Sequence, residues 1–336
     1  MSFSIVCGGG FGDEGKGKLL SYLALADNPS IVARAGVGTN AGHTIQFEGK
    51  EYRLRMIPSG FVNPNVRLLI GAGVLVDPDV LFRELKDTQT IDRFGVDYQS
   101  GIIEKKHIEI DSTNAHLKDK IGSTGSGTGP ANMDRVLRKL KIARDIPMLE
   151  PYLTDVSVEI NDCLDEGKSV IAEGSQAIFL SLFHGSYPYV TSKDVSSSAI
   201  CSDLGVGPTR VSEVIVVMKS FLTRVGTGDL PGELSKEETE KRGWVEYGAV
   251  TGRLRRAAPF NYELAKKAVR LNGATQIALT KLDILYPDIA KVNDIDALKG
   301  ETLEFIGRIE KETKVKISII GTGPSAEDII DLREHL

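Results

Sequence analysis

The sequence predicts an α/β fold: a largely parallel central sheet with helices on both faces, carrying insertions. Three observations predict it. Short runs rich in Val, Ile and Leu recur along the chain, helix-like patterns lie between many of them, and the first run passes straight into a glycine-rich loop and a helix start. Uninterrupted apolar runs belong to strands buried on both faces, and strands that alternate with helices pair in parallel.

The first strand is FSIVC at residues 3–7, followed by the glycine loop of residues 8–18 and a helix signalled by LLSYL at 19–23. RLLI at 67–70, SVIA at 169–172, VIVV at 214–217 and QIALT at 276–280 read as further buried strands. The charged segment LSKEETEKR, residues 234–242, reads as a solvated helix rather than a binding surface. No repeat, low-complexity tract or long Pro/Ser-rich linker interrupts the pattern, so residues 1–336 are read as a single domain. In sheets of this kind ligands bind in the loops at the strand carboxyl ends.

A chain of 336 residues can bury a substantial core and is too long for a small binding module. A net charge of -5, with 41% hydrophobic and 26% charged residues, offers no overall basic surface, so no nucleic-acid partner is expected. The N-terminal run lacks the basic start and length of a signal peptide, and no stretch of about 18 apolar residues occurs. A cytoplasmic location without a membrane partner is the expectation. Cys7, Cys163 and Cys201 are odd in number and lack CxxC spacing, which supports neither a disulfide framework nor a zinc site.

Residues 8–18 read GGGFGDEGKGK. A strand, a glycine loop and a helix start bring bare backbone N–H groups and the positive end of a helix dipole to one point, which makes an anion site. Lys16 adds a charge to neutralise phosphate. Residues 10–16 fit GxxxxGK, but Gly17 stands where that pattern has the Ser or Thr that holds magnesium. Asp13, inside the loop, is the candidate to ligate Mg²⁺ or to take a proton from a substrate. A merely structural turn is the competing reading, but such glycine density is costly unless the backbone must approach a ligand closely.

With GDEGKGK at residues 12–18 the chain resembles the adenylosuccinate synthetases, and at a length similar to the shorter archaeal members the resemblance covers nearly all of it. The other matching blocks are VGTNAGHT (37–44), GSGTGPA (125–131), YPYVTS (187–192), TGR (251–253), TKLD (280–283) and GTGP (321–324). The resemblance implies a P-loop-like GTP-binding ligase fold. It also implies an enzyme, a carbon–nitrogen ligase that joins L-aspartate to C6 of a 6-oxopurine nucleotide as GTP becomes GDP. A purine 6-oxo group is amide-like and leaves poorly, so activation must come first. Loss of the N1 proton gives a 6-oxyanion that attacks the γ-phosphate, and the 6-phosphoryl ester then departs as the aspartate amine adds. That route needs a base at N1, a donor at the phosphorylated oxygen, magnesium and a cationic clamp for aspartate.

By resemblance, Asp13 is the base and a magnesium ligand, His43 the general acid, Lys16 a third catalytic group, and Gly42 a second magnesium ligand through its carbonyl. Gly12, Glu14, Gly15, Lys16, Gly17, Lys18, Gly42 and Thr44 would hold the donor phosphates; Lys281, Asp283, Thr322, Gly323 and Pro324 would hold its base. The residue chemistry agrees, since a carboxylate in TKLD can accept from guanine N1–H and the 2-amino group, a pair that adenine lacks. Asn40, Ser123, Thr124, Gln176, Thr191, Val225 and Val250 match positions at the acceptor nucleotide. Arg138 matches an arginine that reaches the 5'-phosphate of the neighbouring subunit's nucleotide, which implies a homodimer. Thr251, Arg253 and Arg255 match the aspartate site, and guanidinium forks suit its carboxylates. His184, just before YPYVTS, is a secondary candidate for a ligand contact; His107, His116 and His335 receive no role.

The chain departs from the family in several loops. Members usually show Gln-Trp at Gly10-Phe11, Gly at Ala177, PFPTE at residues 229–233 (DLPGE), and Gly-Trp or Gly-Tyr near Ala258-Pro259. Drift is expected to spare functional loops, and Phe in place of Trp is similar to a phage-associated branch that acts on dGMP, forming 2-amino-2'-deoxyadenylosuccinate for diaminopurine DNA. The sequence therefore places dGMP ahead of IMP as acceptor. Adenylosuccinate synthesis from IMP is the alternative; a non-catalytic GTP-binding regulator is the third reading, opposed by the presence of Asp13, Lys16, His43 and Arg253.

Overall fold

The computed structural model describes residues 2–248 and 252–335. Its centre is a ten-stranded sheet of β1 (Ser2–Gly8), β2 (Ile31–Arg34), β3 (Arg67–Ile70), β4 (Phe94–Asp97), β5 (Leu153–Thr154), β6 (Ser169–Glu173), β7 (Glu213–Lys219), β8 (Gln276–Thr280), β9 (Ile317–Gly321) and β10 (Ile329–Asp331). The spatial order is β10-β9-β8-β7-β1-β6-β2-β3-β4-β5. Every neighbouring pair is parallel except β9 with the edge strand β10. The expected α/β class is the one observed, and the five expected strands fall in β1, β3, β6, β7 and β8. β2 and β4 escape the apolar pattern because they are four-residue strands that end on a charge, Arg34 and Asp97.

Burial on both faces explains the uninterrupted apolar runs. Along β1, Phe3, Ile5 and Cys7 enter one core and Val6 the other; along β7, Val214, Val216 and Met218 face one way and Ile215 and Val217 the other. Helix α1 (Lys16–Ala26) seals one face with Leu19, Leu20, Leu23 and Ala24. The helices Val156–Asp165, Ser197–Leu204, Tyr262–Asn272 and Glu301–Thr313 pack on the other. All three cysteines are free and buried. Segment 234–242 forms the short helix Lys236–Lys241, whose cap is Ser235 Oγ accepting from Glu238 N at 3.1 Å. Among the described residues no helix is long and apolar enough to cross a membrane.

A hairpin and a second antiparallel strand pair stand outside the sheet at its functional end. His43–Phe47 pairs with Lys50–Leu54, and Phe221–Arg224 with Arg256–Pro259. The parallel strands all point one way, so the loops after β1, β2, β6, β7, β8 and β9 gather at one edge. Those loops hold nearly every residue singled out by the motifs.

Candidate active site

The loop after β1 turns through Gly12 (φ 96°), Asp13 (φ 61°) and Gly15 (φ 86°) before α1 begins at Lys16. Asp is one of the few residues with a side chain that visits this left-handed region at modest cost. Glu14 braces the loop: its Oε1 accepts from Gly12 N at 2.7 Å and its Oε2 from Lys16 Nζ at 2.7 Å, with both side chains buried. Thr280 Oγ1 at the end of β8 donates to Glu14 O at 2.6 Å. The glycine at position 17 has a steric reason, because a Cβ there would lie 2.8 Å from the Cβ of His43. The space a P-loop Ser or Thr would need is taken by the His43 hairpin.

Asp13 is joined to Arg255 Nη2 at 2.7 Å, and Arg255 Nη1 donates to Glu246 Oε2 at 2.5 Å. The same Glu246 oxygen accepts from buried Lys219 Nζ at 2.6 Å, and Lys219 also donates to Thr223 Oγ1 at 2.7 Å. Burial pushes the Asp13 carboxyl up against the opposing pull of Arg255 and Lys219. Burial would also raise Glu246, but Lys219, Lys281 and Arg255 outweigh it and hold that carboxyl down at about 2. A carboxyl whose proton affinity is raised by burial suits a base that must both take and release a proton.

His43 opens its hairpin with Nδ1 2.5 Å from Glu173 Oε1, while its Nε2 is buried without a partner. Glu173, the last residue of β6, also accepts from Arg34 Nη1 at 2.9 Å, Ser59 N at 2.6 Å and Ser59 Oγ at 2.9 Å. Burial lowers the imidazole to about 4, with Arg34 acting in the same direction and Glu173 against it.

Asp13, His43, Glu246 and Arg255 open onto one cavity of about 820 Å³, within the range that holds small-molecule ligands. Its lining contains Gly12, Asp13, Gly15, Lys16, Gly17, Lys18, Asn40, Gly42, His43, Thr44, Ser123, Thr124, Gln176, Thr191, Val225, Arg255, Lys281, Gly323 and Pro324, all expected from sequence. Asn40 Nδ2 donates to Thr191 Oγ1 at 3.1 Å and leaves its buried Oδ1 unpartnered. The turn holding Ser123 and Thr124 is anchored by buried Asp111, which accepts from Ser123 Oγ at 2.7 Å and from Gly127 N at 2.8 Å, just ahead of helix α2 (Thr128–Val136). Arg253 donates to the carbonyls of Gly122 and Ser123 at 3.0 and 3.3 Å, tying the segment after residue 251 to that turn.

At the other end, Lys18 Nζ donates to the carbonyls of Gly323 and Asp328 at 2.5 and 2.6 Å, and burial lowers it to about 8. Asp283 keeps a buried Oδ1 with no partner, an acceptor of the kind a guanine N–H would satisfy. Thr322 spends its hydroxyl on Val292 O at 2.7 Å. Arg138 is exposed, as is His184, and both lie outside the lining, whereas His116, assigned no role, borders it. Val250 and Thr251 lie outside the described residues.

Sequence reasoning missed Glu173, Arg34, Lys219, Glu246, Asp111 and Arg224. Three of them had a signal: Arg34, Glu173 and Lys219 each put a charge at the carboxyl end of a parallel strand, the end at which such sheets bind ligands, although all three are buried and outside the cavity lining. Arg224 is buried and donates to Ser186 Oγ, Asp229 O and Tyr189 O at 2.8 to 2.9 Å, bracing the loop that carries Thr191.

Among the described residues no group of three or more His, Cys, Asp or Glu side chains could hold a metal ion. Asp13 Oδ and Gly42 O offer a hard, all-oxygen pair beside the phosphate loop. That fits Mg²⁺, which takes one or two protein ligands and completes its shell with phosphates and water.

A glycine loop leading into α1 at the sheet's carboxyl edge, with carboxylate, imidazole and guanidinium groups around one cavity, defines a nucleotide-using enzyme of the α/β class. The model of the adenylosuccinate synthetase family matches residues 5–147 and 140–287. The chain is 56% identical to the adenylosuccinate synthetase of Pyrococcus horikoshii and 55% to that of Thermococcus sibiricus, each over the full length of both chains. It is 54% identical to that of Methanocaldococcus jannaschii, over all of this chain and 98% of the relative. The fully ligated adenylosuccinate synthetase of Plasmodium falciparum superposes with a TM-score of 0.91 at 26% identity, covering 98% of this chain and 99% of the other. The chain belongs to the adenylosuccinate synthetase family, and is by class a GTP-dependent carbon–nitrogen ligase.

The findings fit the IMP alternative better than the preference for dGMP. The succinoaminodeoxyadenylate synthetase of cyanophage S-2L, solved with dGMP and dATP, shares the fold at a TM-score of 0.81 but only 24% identity, over 98% of this chain and 95% of that one. The three relatives at 54–56% identity are adenylosuccinate synthetases. The physical reason lies in where the departures sit. Phe11 is buried, 5.4 Å from the Phe179 ring and 4.7 Å under the Arg224 guanidinium, although its edge borders the cavity. Phe11, Phe179, Leu230 and Ala258 are members of one core cluster, and buried Ala177 adjoins Gly8. The departures at Phe11, Leu230 and Ala258 therefore share one core cluster behind the phosphate loop rather than forming a set on the cavity wall.

Proposed function

We propose that this protein joins L-aspartate to C6 of IMP, with GTP as phosphoryl donor and Mg²⁺ as cofactor, giving adenylosuccinate. The observation that carries the reading is the convergence of Asp13, His43 Nε2 and Arg255 on one cavity at the phosphate loop, in a chain more than half identical to adenylosuccinate synthetases throughout its length. Asp13 takes the N1 proton, and His43, doubly protonated when the anionic phosphates lie beside it, keeps Nδ1–H on Glu173 and donates through Nε2 to the purine oxygen as it becomes phosphorylated. Lys16 and the backbone N–H groups of the loop hold the donor phosphates. Asp13 and Gly42 O would hold magnesium, which when bound would supply charge neutralisation to the phosphates. Arg255 and Arg253 clamp the aspartate carboxylates, so Arg255 exchanges Asp13 for substrate when aspartate arrives. Asp283 accepts from the guanine edge.

A homodimer is part of this reading. Arg138 is exposed and away from its own cavity, and the apolar side chains beside it, Met133, Val136 and Leu137, are 54%, 72% and 53% exposed, as a patch awaiting a partner surface would be. Light scattering tests it: a monomer at working concentration removes Arg138 from the site.

Turnover with IMP, GMP and dGMP at fixed GTP and aspartate tests the substrate. IMP is the expected acceptor, with GDP and phosphate release dependent on aspartate. A preference for dGMP refutes the reading, and absence of aspartate-dependent release with all three refutes the ligase itself.

A further inference from the structure

We propose that Glu173 is the positioning residue of this enzyme: its carboxylate fixes the His43 ring with the proton on Nδ1 and with Nε2 as the one nitrogen presented to the reacting oxygen. The inference rests on the reading of His43 as the acid at that oxygen. Glu173 is wholly buried at the carboxyl end of β6, where the register sets it beside Arg34 of β2. Its Oε2 accepts from Ser59 N, a donor fixed by the backbone. Its Oε1 accepts from Arg34 Nη1 and Ser59 Oγ and meets His43 Nδ1 at 2.5 Å. The carboxylate is therefore held at both oxygens by groups other than the histidine and cannot turn away from it.

The tautomer follows from donor and acceptor chemistry. An ionised carboxylate has no proton to give, so the hydrogen between Oε1 and Nδ1 belongs to the imidazole. Arg34 Nη1, 3.3 Å from Nδ1, is a donor and cannot bond a protonated nitrogen; its proton goes to Glu173. Nε2 is left buried, unpartnered and on the cavity side, and any proton His43 passes to or from substrate moves through it. Without the carboxylate nothing accepts from Nδ1–H, Arg34 is left facing the ring at 3.3 Å, and the contact that aims Nε2 is lost. Position 173 matters through His43, and the bland alternative is that it only neutralises Arg34.

A double-mutant cycle on the full-length protein separates the two, using IMP, GTP and aspartate with wild type, E173Q, H43N and E173Q/H43N. In Glu173→Gln one amide oxygen must serve Ser59 N and Arg34 together, so the ring is no longer fixed. The expected result is a fall in kcat of about 10²-fold in E173Q with KM values within about threefold of wild type. Adding E173Q to H43N should then cost nothing further. The same loss in kcat with and without His43, or wild-type kcat in E173Q, overturns the proposal. Wild-type turnover in H43N overturns instead the role of His43, so the two failures are told apart. Should E173Q not fold, Glu173→Asp keeps the charge opposite Arg34 while withdrawing the reach to Nδ1 and serves the same cycle. Ring ¹⁵N NMR of wild type gives a readout that structural support would not move: a protonated Nδ1 is expected in the neutral and in the charged ring, and an unprotonated Nδ1 overturns the proposal outright.

Discussion

Glu246 was invisible as a functional residue in the sequence, yet it joins Lys219, Arg255 and Lys281, and its replacement by Gln makes a quantitative test. Its side chain is 14% exposed, and those of Lys219 and Arg255 are 3% and 9%. The cations hold its carboxyl at about 2 against an ordinary 4.5, which at roughly 1.4 kcal/mol per pH unit is about 3 kcal/mol of stability at neutral pH. Removing one member of a buried ion pair costs about 3–5 kcal/mol, the same order. The sign is that of a depressed carboxyl: the contribution is complete above the unfolded value and disappears as pH falls toward the folded one. Denaturant unfolding of wild type and E246Q should therefore differ by about 3 kcal/mol at pH 7, and the gap should narrow by roughly 1 kcal/mol by pH 4. The KM for aspartate should rise, because Arg255 loses one of the two carboxylates that aim it, while GDP affinity is retained. A gap below about 1 kcal/mol at pH 7, or one that stays constant down to pH 4, would refute the reasoning.

Asp13→Ala should lower kcat by about 10²–10⁴-fold while GDP binding, followed by calorimetry, survives; near-normal turnover would remove Asp13 from the base role. Gly17→Ser supplies the hydroxyl of an ordinary P-loop but drives its Cβ to 2.8 Å from that of His43, so activity should fall and stability drop by about 1–3 kcal/mol. Undiminished turnover in that variant would show that the hairpin yields freely. Phe11→Trp should overpack the cluster of Phe179, Leu230 and Ala258 and leave the IMP to dGMP preference where it was. A shift of more than about tenfold (about 1.4 kcal/mol) would return Phe11 to acceptor recognition.

The same residues show how far the sequence could be read. Gly12, Asp13 and Gly15 were legible because the conformation they need is local, and β1, β7 and β8 because a strand buried on both faces is continuously apolar. Phe11 is hard to read for the opposite reason. A loop residue that differs from its family's pattern looks like a change of substrate until its neighbours are known, and those neighbours come from residues 179, 224, 230 and 258.

By itself the sequence determined the α/β class, the phosphate loop and helix α1, and the blocks that make the chain a ligase of this family. Each depends on short-range physics: glycine at left-handed φ, apolar strand periodicity, a helix start beside a lysine. Only the tertiary structure decided that Asp13 rests on Arg255, that Glu246 gathers three cations, and that His43 meets a carboxylate 130 residues away. Parallel strands bring their carboxyl-end loops together in the order of the sheet rather than of the chain. The partners of a loop residue are therefore set by strand order and register, which no local pattern records.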